Sequence, residues 1–318
     1  MLSHYLSLSV GLVCAAIGGE LFVRGLVGVA AWARVPARVI GATIAAFATS
    51  SPELTVAINA AADERPEIAL GDALGSNLVN VGLVLGLVLL AGATAGADLS
   101  RRDALTAVSI AVLLGFLIID GELARTDGVV LLFVFASWLS VVVREAFAAR
   151  VAHGIASEDP EILGAISERG HRRAVLFAAL GLVALVIAGR LLVVGAKGIG
   201  ADLGLSTFVI GVVLISVGTS LPELATAIAA KVRGHAELGL GTLLGSNIFN
   251  VSFIVGVTVV LVPIDVDRGD VAISLIFGIA MFPVVLWRVT GETLSRWRGG
   301  LLIAIYVIAL VTLVVVQR

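Results

Sequence analysis

The sequence predicts an all-α membrane protein, with ten transmembrane helices arranged as two inverted five-helix repeats and both termini outside. Three observations predict it. Hydrophobic residues fill 59% of the 318 positions and charged residues only 14%, whereas a soluble domain carries roughly a quarter charged. Apolar stretches run past the roughly 18 residues that span a bilayer as helix. The chain also aligns with itself without a gap when Gly11 is laid on Gly181, a register that runs on to Gly86 on Gly256.

Apolar runs between charged or turn-rich breaks give helices over 5–30, 37–62, 68–92, 103–120, 126–147, 174–199, 206–231, 237–262, 270–288 and 299–316. The first run leads to Cys14-Ala15-Ala16 like a signal peptide. It lacks the basic flank such a peptide needs and has a mate in the repeat, so it is expected to stay in the mature protein. The domains are then a first repeat over 1–149, a cytoplasmic loop over 150–173 and a second repeat over 174–318. Thirty-six glycines suit helices that pack closely in lipid. Cys14 is the single cysteine, so no intrachain disulfide forms. The net charge of -2 gives nucleic acid nothing to bind. The bilayer is the partner implied, and no obligate protein partner is.

Loop charge sets the orientation. Arg34, Arg38, Arg101, Arg102, Arg144, Arg150, Arg169, Arg172, Arg173, Lys231, Arg233, Arg288, Arg296 and Arg298 fall on one side, and only Arg65, Arg125, Arg268 and Arg318 on the other. The basic side is cytoplasmic. Trp32, Trp287 and Trp297 fall near the helix ends on that side, as an interfacial aromatic belt would place them.

Between Val39 and Gly86, 21 of 48 positions are identical to their mates between Val209 and Gly256. Thr49-Ser50-Ser51-Pro52-Glu53-Leu54 matches Thr219-Ser220-Leu221-Pro222-Glu223-Leu224, and Gly75-Ser76-Asn77 with Asn80 matches Gly245-Ser246-Asn247 with Asn250. Shared composition would repeat Leu, Val and Ala, but not Thr, Ser, Pro, Glu and Asn in one register. Five helices per half force the second half to enter the membrane in the reverse sense, the inverted repeat of many secondary transporters.

The chemistry lies in the repeated polar residues. Glu53 and Glu223 stand mid-helix in apolar segments, where an ionisable side chain costs roughly 2.5–3.5 kcal/mol and so faces the bundle interior or a water-filled path. Thr49 and Thr219 lie four residues before them, and Ser50 and Ser220 three, on roughly the same face. Pro52 and Pro222 cannot donate to the carbonyls of Ala48 and Gly218, which frees oxygen ligands at membrane depth. Ser76 with Asn80, and Ser246 with Asn250, add hydroxyls and amides. With no His or Cys in the set, the all-oxygen inventory selects hard cations such as Ca2+ or Na+ over Zn2+ or Cu2+. Mg2+ is disfavoured because it is rarely stripped of water by an all-protein cage. Asn77 and Asn247 are expected to bridge helices.

At these motifs the chain resembles the sodium/calcium exchanger family of the cation/calcium antiporter superfamily. The resemblance covers both repeats and implies Ca2+ and Na+ as transported ions, exchanged by alternating access in the plasma (inner) membrane, with no resident cofactor and no enzymatic activity. It implies Glu53 and Glu223 as shared carboxylates, Thr49 and Thr219 as carbonyl ligands of Ca2+, and Ser50, Ser76, Ser220 and Ser246 around Na+. Ala46 and Ser216 match positions whose carbonyls reach Na+. Helices 1 and 6, rich in Gly18, Gly19, Gly25, Gly28 and Gly189, Gly195, Gly198, Gly200, look like the pair that slides past the core. H+/Ca2+ exchange, or exchange of another cation, is the alternative on the same glutamates.

One departure from the family pattern stands out. Both Ser-Asn-x-x-Asn segments end in an amide, Asn80 and Asn250, leaving two carboxylates where such exchangers often have three. Asp72 is expected to be a solvated residue at the outer mouth. Glu20, Arg24 and Arg190 are expected to form an intrahelical or cross-repeat ion pair, and Glu158-Asp159-Glu161 a solvated loop. An intramembrane protease is excluded, because His4, His153, His171 and His235 all fall at ends or in loops. A channel fits less well, because a tight two-carboxylate site suits bind-and-release cycling better than rapid conduction.

Overall fold

The computed structural model describes residues 2–32, 46–92, 94–95, 101–152, 168–232, 236–287 and 293–316. The acidic stretch at 158–161, most of the 150–173 loop and the start of the 37–62 segment lie outside them. The described chain is helical apart from two two-residue ladders. The helices are α1 (Leu2–Trp32), α2 (Ala46–Thr49), α3 (Ser51–Ala62), α4 (Pro66–Leu78), α5 (Leu85–Ala91), α6 (Arg101–Leu117), α7 (Arg125–Ala152) and α8 (Glu168–Leu203). They continue as α9 (Thr207–Ile210), α10 (Ser216–Thr219), α11 (Leu221–Val232), α12 (Ala236–Ile248), α13 (Val255–Leu261), α14 (Arg268–Leu286) and α15 (Arg296–Val316).

Among the described residues, seven helical runs are long and apolar enough to cross a membrane, and an eighth qualifies if the pair α9–α10 and α11, bent by 41°, counts as one span. The 17-residue α6 falls just short by length. In the most apolar windows of Pro66–Ala91 and Leu240–Leu261, 78% and 83% of the residues are buried, so these two runs form the centre of the bundle. The windows in α1 and α8 are only 28% and 33% buried, which puts those helices on the outside.

The register of the sequence repeat reappears in the element boundaries. Helices α2, α3, α4 and α5 have mates α10, α11, α12 and α13, at the same 170-residue offset among the described residues. Wider π-helical turns over Val79–Val84 and Phe249–Ile254 obey the same shift. There the Leu85 and Val255 amides donate to the carbonyls of Asn80 and Asn250, five residues back, instead of four. Single-turn π stretches of this kind cluster at functional sites.

The proline of each repeat interrupts its helix at the serine two residues before it. Ser50 (φ -86°, ψ 13°) and Ser220 (φ -83°, ψ 7°) leave helical geometry, and Pro52 sits in the first turn of α3. A missing N–H costs nothing there, since the first amides of a helix have no intrahelical acceptor. The mid-helix placement expected for Glu53 and Glu223 is therefore corrected. Each lies in the first turn of a new helix, where the positive end of the helix dipole favours a carboxylate.

The ladders order the two faces of the bundle. β2 (Glu122–Leu123) pairs antiparallel with β3 (Ile264–Asp265), and β1 (Thr94–Ala95) with β4 (Thr293–Leu294). The first ladder shares its face with the start of α1, because His4 meets Asp202 at 3.0 Å beside the 203–206 turn, and Ser206 and Asp265 line one cavity. We call this the N-terminal face. On the opposite face Lys231 donates to the carbonyl of Gly92 at 3.0 Å, and Arg102 pairs with Glu145.

The outer helices α1 and α8 pack on each other along most of their length. A Cβ at Gly25 would stand 2.2 Å from the amide nitrogen of Ala178, and one at Gly195 2.8 Å from that of Leu8. These contacts are backbone to backbone, so glycine is required. Arg24 donates to Glu20 at 2.6 Å, the intrahelical pair expected. Arg190 turns instead to Asp63, which Lys197 also reaches at 2.8 Å, and the two tie α8 to the end of α3.

Candidate cation site

The two helix breaks face each other at the centre of the bundle, and the polar residues around them are sealed from solvent. Glu53 and Glu223 are each 1% exposed. Thr49, Ser50, Ser76, Asn80, Ser216, Thr219, Ser220, Ser246 and Asn250 are all buried beside them. Ala46 lies in α2 at the position that its mate Ser216 holds in α10.

Most hydrogen bonds here come in pairs related by the repeat. Ser76 Oγ donates to Glu53 Oε1 at 3.4 Å, and Ser246 Oγ to Glu223 Oε1 at 3.3 Å. The Thr219 and Ser76 hydroxyls meet at 3.4 Å, as do those of Thr49 and Ser246. Ser50 Oγ also reaches Glu223 Oε1 at 3.4 Å, across the repeat boundary. Asn80 Nδ2 donates to Asn247 Oδ1 at 2.9 Å, and Asn250 Nδ2 to Asn77 Oδ1 at 3.2 Å. Asn77 also donates to the backbone carbonyl of Asn247 at 3.1 Å. Asn77 and Asn247 thus bridge the helices as expected.

These bonds leave a definite set of oxygens over. Glu53 Oε2, Glu223 Oε2, Asn80 Oδ1, Asn250 Oδ1 and Ser220 Oγ are buried without a hydrogen-bond partner. A buried polar atom left unpaired costs roughly 1–3 kcal/mol, and native interiors hold few of them. Asn80 and Asn250 each donate an amide proton to an asparagine of the other repeat, and their bare carbonyl oxygens remain as acceptors. Carboxylate, amide and hydroxyl oxygens free of donors are what a hard cation takes. Among the described residues no three His, Cys, Asp or Glu side chains converge on one point. Neutral oxygens would therefore supply much of any shell.

Sequence reasoning misjudged Asp72. It is not a solvated mouth residue: it is 1% exposed, and Thr219 Oγ1 donates to its Oδ1 at 2.9 Å. α4 starts at the N-terminal face and carries Asp72 more than a turn inward, against α9–α10. The signal available in the sequence was spacing, since Asp72 lies one helical turn before Ser76 and shares its face. Nearer the N-terminal face, a cavity of about 210 Å3 is lined by Glu67, Asp265, Asp267 and Asp270 with Ser206 and Thr207. An acidic mouth of this kind raises the local cation concentration.

A family model described as sodium/calcium exchanger protein matches residues 3–144 and 173–315. The chain belongs to the sodium/calcium exchanger family. It is 34% identical to inner membrane protein YrbG of Escherichia coli over 260 residues, covering 80% of this chain and 79% of that one. It is 28% identical to the sodium/calcium exchanger MaX1 of Methanosarcina acetivorans, over 98% of both chains. Among solved structures, the exchanger NCX_Mj soaked with Na+ and Sr2+ aligns with a TM-score of 0.65 at 28% identity over 98% of both chains. This member of the family is a multi-pass membrane protein and a cation/Ca2+ antiporter, in a family of transporters rather than enzymes.

Proposed function

We propose that the protein exchanges Ca2+ for Na+ by alternating access at a midplane site built on Glu53 and Glu223. The observation that carries this reading is the pair of buried carboxylates, each with one oxygen held by a serine of its own repeat and the other free. Two carboxylates balance one Ca2+ or two Na+, so the same oxygens serve either ion in turn. Asn80 and Asn250 contribute Oδ1, and Ser50, Ser76, Ser220 and Ser246 contribute hydroxyls. Carbonyls of Ala46, Thr49, Ser216 and Thr219 complete the shells beside the helix breaks, where irregular backbone lines a cavity. Ca2+ and Na+ are cargo in this scheme, not resident cofactors.

The proposed topology is ten crossings, as inverted repeats over 1–149 and 174–318 joined by a cytoplasmic loop over 150–173, with both termini outside. The shared element offset supports it, as do the ladders, which join the loops after the fourth and eighth segments on one face and after the third and ninth on the other. The names of the relatives favour Na+ coupling and residence in the inner membrane. α1 and α8, packed on each other and peripheral, are the pair that would slide across the buried centre.

The test is 45Ca2+ uptake into proteoliposomes driven separately by outward Na+ and outward H+ gradients, with and without K+. Uptake with Na+ alone is expected. Uptake with the proton gradient alone would favour the H+/Ca2+ alternative, and uptake that ignores both gradients would sink the antiport mechanism.

A further inference from the structure

Among the described residues buried beside the site, one charged residue lacks a charged mate in the other repeat. Asp72 has the uncharged Thr242 as its mate in the second repeat. Its side chain is sealed from solvent, and while Oδ1 accepts from Thr219, Oδ2 is buried without a partner. A chain of hydroxyls links it to the paired glutamates: Asp72 Oδ1 to Thr219 Oγ1 at 2.9 Å, Thr219 Oγ1 to Ser76 Oγ at 3.4 Å, and Ser76 Oγ to Glu53 Oε1 at 3.4 Å. Asp72 precedes Ser76 by four residues on a helix that starts at the N-terminal face, so it lies about 6 Å nearer that face. Thr242 precedes Ser246 by four on α12, which starts at the opposite face.

We propose that Asp72 is a third cation-binding carboxylate, serving the N-terminal-face side of the site alone and taking a monovalent cation, Na+, between its Oδ2 and the Thr219 hydroxyl. The inference rests on the reading of Glu53 and Glu223 as the exchange site. A buried carboxylate with a bare oxygen is matched by an ion of single charge, whereas a divalent ion there would leave a net charge in a dry interior. The acidic cavity of Glu67, Asp265, Asp267 and Asp270 lies toward the same face and raises the cation concentration there. The opposite approach meets the neutral Thr242. The two halves therefore present the same central ligands but different entry positions, and Na+ binds more tightly from the N-terminal face.

The experiment is Na+-driven 45Ca2+ flux in vesicles of both orientations, giving the half-saturating Na+ concentration at each face for wild type, Asp72→Asn and Thr242→Asp. Asparagine keeps an acceptor for Thr219 and removes the charge. Asp72→Asn is expected to raise the half-saturating Na+ about tenfold at the N-terminal face and less than twofold at the other. Thr242→Asp is expected to lower it at the opposite face, an arm that does not depend on Asp72→Asn folding. An unchanged Asp72→Asn, or equal shifts at both faces, would show that Asp72 only holds Thr219 and would overturn the proposal. Wild-type flux that ignores Na+ would overturn the coupling reading along with it, so the two failures are distinguishable.

Discussion

The two half-sites differ less in what they contain than in what stands in front of them. Around Glu53 and around Glu223 most of the serines, threonines and asparagines recur, and four of their hydrogen bonds and hydroxyl contacts run in exchanged pairs across the repeat boundary. Outside this frame the halves part: the buried Asp72 on one side, Thr242 on the other. Duplication builds a centre that treats both faces alike, and single substitutions then give it direction. If the centre is shared, neither glutamate can substitute for the other. Glu53→Gln and Glu223→Gln should each lower 45Ca2+ uptake at least about 100-fold, because an uncompensated charge in a dry site costs several kcal/mol. Full uptake by either variant would break the equivalence of the halves.

The asparagine bridges sharpen the same comparison at lower cost. Asn77→Leu removes the acceptor of Asn250 Nδ2, and Asn247→Leu that of Asn80 Nδ2. Each leaves a buried amide unpaired, a loss of roughly 1–3 kcal/mol. Both variants should unfold at lower temperature in detergent and bind Ca2+ less tightly, by similar amounts. A loss confined to one variant would mean that only one asparagine orients a ligand.

A second contrast sets the bundle's centre against α1 and α8. The centre is held by side-chain hydrogen bonds, and the outer pair by backbone contact at small residues. Gly25→Leu would drive a side chain into the Ala178 backbone without touching a proposed ligand. Turnover should fall roughly tenfold or more by friction on the proposed slide, with equilibrium Ca2+ binding within about twofold, since one ångström-scale misfit in packed helices costs roughly 1–3 kcal/mol. Lost binding together with turnover would place this seam in the site itself.

Much of this organisation was legible in the sequence, because polar residues are costly in lipid and survive there in patterns. The repeat, the four-residue spacing of Thr49 and Glu53, and the pairing of Ser76 with Asn80 could all be read directly. Asp72 could not, because its depth depends on how α4 packs on α9–α10. A charge near the start of an apolar run fits a solvated mouth as well as a sealed interior. The helix breaks at Ser50 and Ser220 were half legible: proline marked them, but not whether the chain would kink or restart. The wide turns at Val79–Val84 and Phe249–Ile254 had no signal in local propensity. They appear as a recurrence in the register of the repeat only once the backbone is known.

The smallest expected effect lies where centre and outer pair meet. Hydrogen bonds from Lys197 and then Arg190 hold the Asp63 carboxyl below its usual range. A folded pKa below the unfolded one stabilises above the unfolded value, near 4, and the gain fades as pH falls through the folded value. Arg190 is half exposed, so screening keeps the contribution below about 1 kcal/mol. Asp63→Asn should therefore lower the unfolding temperature slightly at pH 7 and flatten the loss of stability between about pH 5 and pH 3. An acid limb as steep in Asp63→Asn as in wild type would show that this clasp does not join α8 to the end of α3 in solution. The seam would then be held by packing alone.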